Sequence, residues 1–248
     1  MELSAGPRSV RRTGPEAGPS RALAYGGGVI DVRRSADRYR GGEPDSGIDT
    51  RHAFSFGPHY DPDNLRFGAL IACNEERLAP GAGFAEHPHS HTEIVTWVAE
   101  GELTHRDSAG HATVVRPGDL QRLGSASGVR HEERNDGREP LVFVQMWLVP
   151  PEPGGEPSYE VVRGPGDGSA YRLPGTGALL HVLRPAAGER VALPAAPAVY
   201  VHVVRGEARL AGEDLAPGDS ARITGGEAPE LTGSGPGPAE VLVWEMRG

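Results

Sequence analysis

The sequence predicts an all-β protein containing two copies of one small β-barrel. Three observations point there: short β-type runs set off by turn residues, a Gly- and Pro-rich composition, and one strand-and-turn pattern that occurs twice. The 248 residues include 36 Gly and 23 Pro, with 37 % hydrophobic and 6 % aromatic residues. That balance suits many short strands better than long helices. A chain of this length can bury one large core or two small ones.

The strand signals are 94–98 (IVTWV), 112–115 (ATVV) and 141–148 (LVFVQMWL) in the first half, with 199–204 (VYVHVV) and 241–244 (VLVW) in the second. β-branched and aromatic residues dominate these runs, and turn residues bound them. Residues 1–28 have no periodicity and are rich in Gly, Pro, Ser and Arg, so a disordered arm is expected there. The linker signal is strongest at 150–157 (PPEPGGEP). It divides the chain into a first barrel over 29–152 and a second over 153–248.

The two halves share a pattern. A strand ending in Gly101-Glu102 and then Pro117-Gly118-Asp119 is answered by one ending in Gly206-Glu207 and then Pro217-Gly218-Asp219. The glycines stand 105 apart and the aspartates 100 apart, so the second hairpin is five residues shorter. A strand, a Gly-Glu turn, a hairpin and a Pro-Gly-Asp turn, used twice, describe one small barrel duplicated.

Bulk properties narrow the function. The net charge is −9 and all 25 basic residues are arginine; a nucleic-acid backbone is not the expected partner, because phosphate binding is driven by positive charge. A single cysteine, Cys73, cannot close an internal disulfide. It lies in the apolar run 69–73 and reads as a buried small hydrophobe. No apolar stretch approaches the ~18 residues of a membrane helix, and the N-terminus lacks the apolar core of a signal peptide. A cytoplasmic, monomeric protein is expected, with no membrane partner.

Eight of the ten histidines lie between His52 and His131. In a strand, residues two apart point the same way, so His87 and His89 can reach one ion. His131 and Glu133 repeat the spacing about 44 residues later. Three imidazoles and a carboxylate suit a divalent first-row metal with positions left open for substrate. Parity alone does not choose the carboxylate, since Glu93 shares the strand face of His89 as Glu133 shares that of His131. His91 has the same parity but reads as structural or exposed. His105, in His-Arg-Asp-Ser, reads as a hairpin hydrogen-bonder; His52 reads as structural, and His181 and His202 as core or surface residues.

The segment Gly81 to Gly101 resembles the first cupin motif: a Gly, five residues, His-x-His, a spacer, Glu and a later Gly. The segment 128–135 (GVRHEERN) resembles the second, Gly-x-x-His-x-x-x-Asn. The words Arg51-His52-Ala53-Phe54-Ser55-Phe56, Tyr60-Asp61-Pro62, His87-Pro88-His89 and His105-Arg106-Asp107-Ser108 narrow the resemblance to the pirin family, across about 45–150. It implies two tandem cupin (jelly-roll) barrels, a bicupin, with ligands His87, His89, His131 and Glu133. It favours Glu133 over Glu93, the position many other cupins use. Where pirins commonly show His-Ser-Glu this chain has His131-Glu132-Glu133, and Glu132 is expected to point away from the metal.

The resemblance also implies one divalent ion, Fe(II) favoured, with Mn, Co, Ni, Cu or Zn as alternatives. The implied activity is that of a quercetin 2,3-dioxygenase. A flavonol-like substrate would lose its 3-hydroxyl proton to Glu133 as general base, and dioxygen would open the ring with release of carbon monoxide. The other reading is a metal-dependent regulator that binds a protein partner. The second copy carries no such chemistry: the repeat offset puts Ala192, Pro194 and Leu231 at the positions of His87, His89 and His131.

Overall fold

Short runs of alternating polarity bury one face only, so each must pair edge to edge and then cover its apolar side with a second sheet. The computed structural model, which describes residues 21–247, shows four sheets, two of seven strands and two of four. In the first barrel the long sheet runs Ser158–Val162, Leu120–Gly124, Glu93–Glu100, Leu141–Leu148, Leu70–Leu78, Ile48–His52, Tyr39–Glu43. Its short sheet runs Gly83–His89, Val129–Arg134, Leu103–Asp107, Ala112–Val115. The second barrel repeats the plan. Its long sheet runs Arg21–Tyr25, Gly28–Arg33, Ser220–Thr224, Ala198–Arg205, Glu240–Met246, Leu179–Leu183, Ser169–Arg172, and its short sheet Arg190–Ala192, Glu230–Gly233, Ala208–Leu210, Glu213–Leu215. The expected all-β bicupin is the observed fold.

Strand pairing crosses the expected domain boundaries. Ser158–Val162, which follows the linker, pairs with Leu120–Gly124 of the first barrel, and Gly28–Arg33 pairs with Ser220–Thr224 of the second. The N-terminal half lends a two-strand hairpin and the C-terminal half one strand to the other's open edge, because ladder pairing follows the free N–H and C=O groups rather than position in the chain. The arm expected over 1–28 is also too long. Arg21–Tyr25 is a strand, joined to Gly28–Arg33 by a two-residue turn at Gly26 and Gly27, both with positive φ. Residues 1–20 of that arm lie outside the described residues.

The repeated turns are what hold the exchanged strands. Asp119 accepts hydrogen bonds from Arg163 Nη1 (2.6 Å) and the Gly164 N–H (2.9 Å), just past the lent strand. Asp219 does the same with Arg34 Nη1 (2.9 Å) and the Ser35 N–H (2.8 Å). Gly101 and Gly206 share φ near +72° and +71°, and a Cβ on either would run into the carbonyl of Pro140 or Pro238. The duplicated words therefore persist because each closes the same contact in its own barrel.

Between the barrels lies a shared core, in which Phe54, Leu70, Trp97 and Met146 pack with Tyr200, Leu242 and Trp244. Trp97 Nε1 donates to Glu240 Oε1 across this boundary (2.9 Å), and the buried Arg38 donates to the carbonyls of Gly218 and Cys73. Cys73 is fully buried, as expected of a small hydrophobe.

Within the second barrel, Leu231 lies opposite Val191 as His131 lies opposite His87. The residue matching His87 is thus Val191, one place from the Ala192 that the offset indicated; the shorter hairpins shift the register. Ala208, Leu210, Ala221 and Val243 occupy the places of His105, Asp107, Gln121 and Gln145, and all four belong to one apolar cluster.

Burial opposes the charge on Asp119, but Arg163 and the N–H groups of Arg116 and Gly164 outweigh it and hold the carboxyl below its ordinary value. Such a group favours the folded state above the ordinary carboxylate range, and loses that contribution as pH falls through its lowered value. Asp119→Asn is expected to cost about 2 kcal/mol at neutral pH and much less near pH ~3, read from urea melts at both. A cost independent of pH would refute the clasp.

Candidate metal centre

Two histidines at i and i+2 share a face only while the chain stays extended, and His87 and His89 sit on the edge strand Gly83–His89. Its neighbour Val129–Arg134 runs antiparallel, with His131 opposite His87. A bulge follows, so that Glu133 comes opposite Phe84. The bulge turns both Phe84, which packs on the apolar core, and His87 inward despite their odd spacing. The three rings meet with centroids 4.8, 4.6 and 4.9 Å apart, and one nitrogen of each lies within 4.8 Å of the others.

The donor atoms are ready to bind an ion. His89 Nε2 and both nitrogens of His131 are buried with no hydrogen-bond partner. His87 Nδ1 donates to the Ala85 carbonyl (2.8 Å), which leaves Nε2 as a free lone pair. Burial, helped by the neighbouring rings of His131 and His87, pushes His89 down to about 4. Burial also lowers His131, against the pull of Glu133. Both are neutral at physiological pH, the form that ligates a metal. Unpartnered neutral nitrogens around one point fit a divalent transition ion.

Glu133 is buried beside this trio and belongs with His105 and His131 to a second group of potential ligands, which shares His131 with the three-histidine group. Burial alone would raise its carboxyl. Electrostatic interaction with the His131 and His105 rings, together with the amides of Gln145 and Gln121, reverses that and holds it below its ordinary value. Gln121 Nε2 donates to one oxygen (2.8 Å) and Gln145 Nε2 to the other (2.6 Å). Trp147 Nε1 donates to Gln145 Oε1 (2.9 Å) and the Tyr159 hydroxyl to Gln121 Oε1 (3.0 Å). Burial pushes that hydroxyl up to about 12, so it keeps its proton. Glu76, in the same interior, is pushed by burial up to about 8, with Glu133 adding to the rise against the Thr50 hydrogen bond.

Glu93 lies in neither group. Arg122 binds both its oxygens, at 2.7 and 3.0 Å, in a buried pair. The parity shared with His89 fails because His91 adopts φ 54° between the two strands, and Glu93 opens a strand of the other sheet. His91 itself is exposed. Glu132 points outward to Arg106 (2.7 Å). His52 stacks on Phe56 and bonds Asn74, His181 bonds Glu245, and His202 meets Arg38, all away from the cluster.

His105 does make a hairpin contact, to Asp107 (3.3 Å), but its ring is fully buried, 5.5 Å from His131 and stacked on Tyr159 at 4.5 Å. The motifs missed this, and with it Gln121, Gln145, Trp147 and Tyr159. For the glutamines a signal existed: each interrupts an apolar strand, where an amide is costly unless it has partners.

The Pirin family model matches residues 32–148, and the model for the quercetinase C-terminal cupin domain matches 176–246. A Mycobacterium tuberculosis protein named, provisionally, as a quercetin 2,3-dioxygenase is 41% identical over 236 residues, 88% of this chain and 95% of its own. The Escherichia coli K12 quercetin 2,3-dioxygenase is 39% identical over 137 residues, 54% of this chain and 58% of its own. Among solved structures, the bacterial pirin YhhW of Escherichia coli in complex with nickel(II) superposes with a TM-score of 0.81 at 29% identity, covering 88% of this chain and 99% of that one.

Removing the charge of Glu93 leaves the Arg122 guanidinium buried and unpaired, so Glu93→Gln should lower stability by about 3 kcal/mol while bound metal per chain stays the same. Loss of metal at unchanged stability would make Glu93 a ligand instead.

Proposed function

The chain belongs to the pirin family, and from that premise we propose that its first barrel is a metal-dependent dioxygenase centre of the quercetin 2,3-dioxygenase type. The carrying observation is the meeting of the His87, His89 and His131 rings, the last two with buried nitrogens that lack hydrogen-bond partners, beside an ionised carboxylate held by two amides. In this reading His87, His89 and His131 hold one divalent ion, and Glu133 is the carboxylate of the centre. Fe(II) is favoured by family, and the nickel complex of a relative supports a divalent ion.

When bound, the ion supplies Lewis-acid polarisation and a template for a chelating substrate. The chain supplies the rest. Glu133, ionised beside the trio, accepts the proton of a substrate hydroxyl as general base. Trp147 lies edge-on to His89 (4.9 Å), with Phe56 5.2 Å further on, an aromatic surface suited to a planar ring system. The partners in this reading are a flavonol-like molecule and dioxygen.

Chains loaded with Fe(II), Mn(II), Co(II) or Ni(II) should consume oxygen when given quercetin, and metal-free chains should not. Metal bound without oxygen uptake would contradict the dioxygenase reading and favour a metal-dependent binding protein. His87→Ala and His131→Ala should each lose bound metal by elemental analysis with the β-sheet circular dichroism retained; full stoichiometry in either would place the ion elsewhere. Glu133→Gln should lower turnover by ~10²–10⁴-fold.

A further inference from the structure

We propose that Tyr159, lent to the first barrel from beyond the linker, is a positioning residue of the metal centre, acting through Gln121 on Glu133. The inference rests on the metal reading above, and it concerns a part of the chain that no ligand motif includes. The geometry that carries it is a pair of hydrogen-bond chains converging on one carboxylate.

An indole N–H can only donate. Trp147 therefore fixes the carbonyl end of Gln145 toward itself and the NH₂ end toward Glu133. A carboxylate can only accept, so Gln121 must also present NH₂ to Glu133, and its carbonyl faces the Tyr159 hydroxyl, which donates. Without that hydroxyl, the Gln121 carbonyl loses its donor in a fully buried setting. The amide then keeps only its bond to Glu133 and loses the contact that fixes its position.

The tyrosine ring is itself held from several directions. It stacks on His105 (4.5 Å, 12°) and on His111 (4.9 Å, 30°), and its backbone pairs with Leu123. His105 lies against His131, and Tyr159 thus touches the centre's surroundings by two routes, one through its hydroxyl and one through its ring. The exchanged strand places this side chain, which gives the strand exchange a consequence for the metal centre as well as for stability.

Full-length Tyr159→Phe keeps the ring stack and removes only the hydroxyl. Titrated with Co(II) against a chromophoric chelator, it should bind about tenfold more weakly than the parent, with an altered visible absorption band and the β-sheet circular dichroism retained. Gln121→Met should weaken Co(II) binding at least as much, and adding Tyr159→Phe to it should change nothing further, because the path is already cut. Parental affinity and spectrum in Tyr159→Phe, or additive losses in the double variant, would overturn the inference while leaving the metal reading intact. A parent chain that binds no Co(II) would overturn the metal reading itself and the inference with it.

Discussion

An ionised carboxylate inside a barrel is the constraint around which the first half of this protein is arranged. Removing a carboxylate from water costs several kcal/mol unless donors replace the water, and Glu133 is 1% exposed. Its donors come from strands of the opposite sheet, Gln121 from Leu120–Gly124 and Gln145 from Leu141–Leu148, each amide oriented by a further donor. Glu76, without such a pair of amides, is pushed toward its neutral form in the same interior. Beyond these groups the barrel fills with Leu78, Val98, Leu103 and Phe143. Polar and apolar contents are thus segregated within one small space, and the histidines sit where the polar part reaches the edge strand.

The second barrel shows how the same frame fills when no carboxylate must be held. Ala221 and Val243 stand where the two glutamines stand, and Leu231 where His131 stands. Its contribution is structural and reciprocal. Its sequence half provides Tyr159, and Tyr200, Leu242 and Trp244 form one wall of the shared core. The Asp119 and Asp219 clasps tie each exchanged strand at the point where the chain crosses from one barrel to the other.

Much of this was legible in the residues. Strand alternation, the duplicated turns and the His-x-His and His-x-Glu words indicated two barrels and the three converging histidines, because period-two geometry and turn chemistry are local properties. What failed was non-local. The exchange of Ser158–Val162 and Gly28–Arg33 depends on which sheet edges remain free, information that no single segment carries. Parity could not show that the left-handed turn at His91 carries Glu93 into the other sheet, or that Arg122 pairs with it there. The hairpin word for His105 indicated its contact with Asp107 but not the direction its ring takes, toward His131.

The central claim is that one barrel of the two holds the ion, on the face shared by Gly83–His89 and Val129–Arg134. Anomalous diffraction from crystals soaked in Mn(II) or Ni(II) tests it most directly. A single strong peak within coordination distance of His87, His89 and His131 in each chain is the predicted result. A peak among the residues of the second barrel, or one beside Glu93 with the three imidazoles unengaged, would contradict it.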